Sequence, residues 1–172
     1  LRAEGKIPVL LTPSHHPLEQ LGFALHRLSP GFQPAELLVN RLQENEKALY
    51  FIARELLHSG APQSICLVID QLEEIFTLAK NQEEVEQFLN NIFFALGKPD
   101  SGISVVTTLR SDFLGKCVIW PDLAEHCANR MITVEPMERE ELTLAMRRPV
   151  ELAGLVWESG LLQRILDDVA GV

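Results

Sequence analysis

"SICLVIDQLEEIF", Ser64 to Phe76, is the stretch on which the fold turns. Five apolar residues, Ile65 to Ile69, run unbroken into Asp70, and Glu73 and Glu74 follow within one helical turn. A short, unbroken apolar run suits a parallel strand covered on both faces. In open parallel sheets, ligands sit outside the carboxyl ends of the strands, and Asp70 lies at such an end. A lone carboxylate there suits magnesium, which takes one or two carboxylates together with waters and phosphate oxygens. A plainer reading makes Asp70 the N-cap of the next helix. It makes Glu73 and Glu74 solvated first-turn acids that complement the helix dipole.

The same pattern recurs on either side. "KIPVLLTP" (Lys6 to Pro13) reads as a short strand ended by proline, and "GISVVTTLR" (Gly102 to Arg110) as another buried strand. "MITVEP" (Met131 to Pro136) reads as a further strand of that kind. Helices are predicted between them. The first spans Pro17–Leu28, with Leu18, Leu21, Leu25 and Leu28 at helical spacing. A second runs across Ala35–His58, broken near Gln43–Lys47 and stopped at Gly60; a third spans Gln82–Leu96, stopped at Gly97. "DFLGKCVIW" and "PDLAEHCANR" read as short helical pieces split by Pro121. Two more follow, Glu138–Gly154 with a proline near its end, and "SGLLQRILDDVAG" ending at Gly171. Strands alternating with helices predict an α/β fold with a mostly parallel sheet.

Composition narrows the function. The chain has 172 residues, 47% hydrophobic and 23% charged, with a formal net charge of −9. That balance argues against a broad basic surface for nucleic acid, and "LLQRILDDV" carries acids where a recognition helix wants bases. The three cysteines, Cys66, Cys117 and Cys127, form no C-x-x-C pair, which favours reduced thiols in a cytosolic protein. Among the five histidines, His15 and His16 are adjacent and cannot share one face as metal ligands do. No apolar run approaches the roughly 18 residues of a membrane span.

Three stretches together carry a resemblance: "CLVIDQLEEIFTLA", "ISVVTTLRSDFLGKCVIWPDLA" and "ITVEPMEREELTLAMRRPVELAGL". Their joint order resembles the novel STAND NTPases, signalling ATPases related to AAA+ proteins and often fused to WD-repeat propellers. The resemblance implies a three-layer P-loop NTPase-like sheet followed by a helical lid. It divides the chain into a partial core over 1–136 and the start of a lid over 137–172. It makes the Asp70 strand the Walker B segment, with Asp70 holding the magnesium of ATP through water. Glu73 or Glu74 becomes the candidate for positioning the attacking water, although Gln71 stands where related ATPases carry a glutamate. Thr108 and Arg110 occupy the place of a γ-phosphate sensor. "RRPVELAG" looks like the proline-containing start of the lid, which brings Arg148 and Pro149 near the nucleotide.

One expected motif is missing. No G-x-x-x-x-G-K-[ST] occurs; the Gly-Lys pairs stand in "EGKIP", "LGKPD" and "LGKCV". Without that loop no run of backbone donors cradles the phosphates and no lysine reaches the β and γ oxygens. The start at Leu1 leads to the expectation that the loop lies upstream. By resemblance, the spatial order is then the Met131–Glu135 strand, a gap where the P-loop strand belongs, and the strands at Ile103, Ile65 and Ile7. The gap is expected to close by pairing of Met131–Glu135 with the Ile103 strand, or with a second chain. The expected function is a piece of an ATP-binding signalling switch, without ATPase activity or bound cofactor on its own. Its expected partners are the other domains of a cytoplasmic parent protein and a possible second copy, with neither nucleic acid nor membrane. The alternative is a non-enzymatic interaction or oligomerisation module in which Asp70 and Arg110 are structural.

Overall fold

A computed structural model describes residues 6–28, 31–58 and 64–170. The expected stops at Gly60 and Gly171 lie outside them. The chain divides into two compact units, Leu1–Asn129 and Arg130–Val172.

The first unit is α/β. Its three strands, β1 (Lys6–Leu11), β2 (Ser64–Ile69) and β3 (Ile103–Thr107), form an open, all-parallel sheet in the order β1-β2-β3. The register aligns Val9 with Leu67 and Val105, and Leu11 with Ile69 and Thr107. Side chains alternate across a strand, so Val9, Leu11, Ile65, Leu67 and Ile69 share one face, and all five are buried. Over that face lie α1 (Pro17–Leu28), α2 (Ala35–Glu44), α3 (Ala48–His58) and α5 (Gln82–Leu96), whose apolar stripes complete the core around Phe88, Leu49 and Ile52. The opposite face is more open: Pro8, Leu10 and Val106 are exposed, Leu10 by 60%. The three parallel strands fit an incomplete P-loop-like sheet.

Local chemistry explains the helix boundaries. The break expected near Gln43–Lys47 falls between α2 and α3, where buried Asn91 of α5 serves both ends. Its Nδ2 donates to Leu42 O at 3.1 Å, and its Oδ1 accepts from Leu49 N at 3.0 Å. Asn81 caps α5 by accepting from Glu83 N, and Gly97 ends that helix as expected. Gly22 lets α1 approach α2: a Cβ there would meet Val39 Cγ2 at 2.5 Å.

The remaining helices of this unit are short. α4 (Glu74–Thr77) follows β2. A 3-10 turn (Ser111–Phe113), α6 (Leu114–Cys117) and α7 (Pro121–Arg130) follow β3. Phe76 stacks on Phe113 and Trp120 with centroids 6.4 and 5.3 Å apart, tying α4 to these pieces.

The second unit corrects one expectation. Met131–Glu135 is not a strand, and it pairs with neither β3 nor any other described segment. Ile132 and Val134 are each 89% exposed. A β-branched run becomes a strand only when a neighbour supplies ladder bonds and a surface to pack on, and this run has neither. Beyond it, α8 (Arg139–Leu152) and α9 (Leu161–Ala170) form a helical pair. Arg139 bonds Asp167 at 2.6 Å across them. α8 runs through Pro149 to Leu152, and Gly154 beyond its C-cap has a φ of 69°, which suits a residue past a helix end. On α8, Leu142 and Met146 are half-buried and Ala145 is exposed.

Candidate functional site

The carboxyl ends of β2 and β3 bring Asp70 and Thr108 together. Thr108 Oγ1 donates to Asp70 Oδ1 at 2.6 Å and accepts from Gln71 N at 2.8 Å. The backbone binds at the same place: Thr108 N donates to Ile69 O at 3.0 Å, and Leu72 N to Thr108 O at 2.9 Å. On the other side, Asp70 N donates to Leu11 O at 2.9 Å. Asp70 is therefore fixed by both neighbouring strands, and its carboxylate is half-buried. It does not cap α4, whose N-cap is Glu73.

Gln71 makes the turn possible. Its φ of 55° is left-handed, a conformation that costs a non-glycine residue about 1–2 kcal/mol. The bend turns its N–H onto the Thr108 hydroxyl and folds the next residues back over the sheet end. Glu73 is consequently 9% exposed rather than solvated. Its Oε2 accepts a long bond, 3.4 Å, from Arg110 N. Glu74 turns the other way and accepts from Ser14 N at 3.0 Å, where Ser14 also holds a left-handed φ of 56°. The picture of two solvated first-turn acids is thus corrected: one closes the β3 end and the other holds the loop after β1.

Arg110 reaches the site by its backbone alone. Its guanidinium points to Asp112 in a two-pronged ion pair, Nε to Oδ1 at 3.2 Å and Nη2 to Oδ2 at 3.0 Å. Those bonds raise the arginine further above its ordinary range and hold Asp112 below the usual carboxylate range. The Phe113 ring lies under the guanidinium at 5.9 Å, and Lys116 approaches the same ring at 5.0 Å. Arg148 and Pro149 lie in the last turns of α8, in the second unit.

The donor set can be tested against magnesium. A single half-buried carboxylate at a sheet end, with Oδ2 making no hydrogen bond among the described residues, fits a cation that takes its other ligands from water and phosphate. No group of three or more His, Cys, Asp or Glu able to hold a metal occurs among the described residues, so a resident ion caged by protein side chains is not what this sheet end offers. Asp70, Thr108 and Arg110 were visible in the sequence as strand-end residues. Asp112, two residues after Arg110, reads in the sequence as its ion-pair partner, whereas Ser14 carries no such signal.

No curated protein and no solved structure matches the chain. A family model described as Novel STAND NTPase 1 matches residues 2–172. That match takes in both strand ends and both helices of the second unit, and the chain belongs to the novel STAND NTPase 1 family.

Proposed function

We propose that this chain is part of an ATP-binding signalling switch of the STAND type, with Asp70 as the magnesium-facing carboxylate of a Walker B strand. The observation that carries the reading is the Thr108–Asp70 hydrogen bond at the carboxyl ends of adjacent parallel strands. Magnesium, when bound with ATP, neutralises phosphate charge. The chain's own residues orient and exclude. Thr108 fixes the rotamer of Asp70 and leaves Oδ2 for a magnesium-bound water. Glu73, buried beside the Arg110 backbone, is the better placed of the two glutamates to hold an attacking water, and Glu74 positions the loop after β1. Arg110 serves as a phosphate sensor once its side chain leaves Asp112. Arg148 and Pro149 belong to the start of the lid, 137–172, that follows a core spanning 1–136.

The phosphate cradle is expected from chain outside these residues, in a cytoplasmic protein whose further domains, WD repeats among them, are the partners. Positioning and electrostatics carry nearly all of phosphoryl transfer, so these 172 residues alone should not hydrolyse ATP. Calorimetry on them should detect no magnesium-dependent ATP binding in the micromolar range; such binding would contradict the reading. The open β3 edge and exposed Val106 and Leu10 favour a second reading, an oligomerisation or interaction module without catalysis. Nucleotide binding by a longer chain that survives Asp70→Ala unchanged would favour it.

A further inference from the structure

His15 and His16 lie in the loop between β1 and α1. His16 Nδ1 stands 3.3 Å from Glu84 Oε2, and Lys80 Nζ stands 3.4 Å from His16 Nε2. Glu84 lies in the first turn of α5, and its Oε1 accepts from Leu18 N at 3.4 Å, at the start of α1. Lys80 precedes α5, and its backbone N–H donates to His15 O at 3.5 Å. The His16 ring therefore sits between an ammonium and a carboxylate. Bonding chemistry then selects one form of that ring. A carboxylate only accepts, so Nδ1 carries the proton; an ammonium only donates, so Nε2 is bare. The neutral Nδ1–H tautomer satisfies both partners at once.

We propose that His16 is a pH-sensitive latch: neutral, it joins Lys80 to Glu84; protonated, it keeps Glu84 and releases Lys80. The added proton goes on Nε2. It replaces the acceptor with a donor and sets two positive charges against each other. The Nδ1 bond to Glu84 becomes charge-assisted and holds. Histidine side chains change charge between about pH 5 and about pH 8, and that is the window in which the release is sought.

The other charged groups on these elements do not take the place of Lys80. Among the described residues, Glu19 in the first turn of α1 and Glu83 in the first turn of α5 make no bond to the ring. His15 turns to the Ser14 hydroxyl at 3.4 Å, and Glu74 of α4 accepts from Ser14 N. Release of the ammonium leaves the long Lys80 N–His15 O bond to join the loop after β1 to the chain ahead of α5. That loop is the one Glu74 holds through Ser14, so the latch acts on a segment tied to the strand-end site.

The test is nuclear magnetic resonance on the isotope-labelled chain, titrated from about pH 8 to about pH 5. At the alkaline end the His16 ring nitrogens should give the Nδ1–H pattern, with Overhauser contacts from the ring to the side chains of both Lys80 and Glu84. At the acid end the Lys80 contact should be lost and the Glu84 contact kept. Lys80→Met should raise the His16 titration midpoint by removing the repulsion, and Glu84→Gln should lower it. An Nε2–H tautomer at the alkaline end would overturn the proposal. So would a Lys80 contact that survives protonation of His16, one lost at the midpoint of His15 instead, or a His16 midpoint that either variant leaves in place.

Discussion

Thr108 carries more of the strand end than any other single side chain. One hydroxyl accepts the Gln71 N–H and donates to Asp70, so it satisfies a kinked backbone and orients a carboxylate together. Thr108→Val keeps the shape and removes both bonds. It should destabilise the fold by about 1–3 kcal/mol in urea unfolding, and Thr108→Ser should recover most of the loss. Asp112→Asn tests the other polar group at this end. It should release the Arg110 guanidinium without lowering the unfolding midpoint, because both side chains are mostly exposed. Asp70, Thr108 and Arg110 were legible because strand ends can be read from an apolar run and its first polar residue. The burial of Glu73 was not legible. It follows from the left-handed Gln71, and that conformation is held by a partner on a different strand, far along the chain.

Elements report their own energetics. Asn91 joins α5 to the end of α2 and the start of α3, with no exposed surface. Asn91→Leu leaves the Leu49 N–H and Leu42 carbonyl without that partner. It should cost about 2–3 kcal/mol, and unfolding followed by both fluorescence and circular dichroism measures it. α2 and α3 are also clamped by Arg41, whose guanidinium bonds both carboxylate oxygens of Glu55 at 2.9 and 2.7 Å. The Arg41 bonds outweigh partial burial and hold Glu55 below its ordinary value of 4.5. A carboxyl lowered in the folded state stabilises above its unfolded pKa, and that stability is lost as pH falls through the folded pKa. The wild-type advantage over Glu55→Gln should therefore be present at pH 7, under about 1 kcal/mol for so exposed a pair. It should be lost as pH falls through the folded pKa of Glu55; an advantage that grew at low pH would reverse the assignment. The helices themselves were legible from periodicity and stop residues, since an amphipathic stripe and a glycine end are local features.

At the scale of the whole molecule, one strand failed to appear. Met131–Glu135 carries β-branched residues as β2 does, yet Ile132 and Val134 stand in solvent. Composition can name a segment able to be a strand, while a strand exists only beside another. Order in the sheet was legible from the family resemblance, and β1-β2-β3 agrees with it. The failure of Met131–Glu135 to pair with β3 was not legible, because that depends on which surfaces the rest of the chain provides. An open sheet edge and an exposed Leu10 remain in the first unit. They are the same features on which the switch and interaction readings differ, since nucleotide is held at the strand ends and a second chain along the edge. The deciding measurement is titration of magnesium and ATP into a longer chain that carries a phosphate loop ahead of these residues, native against Asp70→Asn. The switch requires the magnesium-dependent affinity to fall by at least about tenfold in Asp70→Asn, the scale of one lost charge-assisted contact. Equal magnesium-dependent affinity in the two proteins would contradict it.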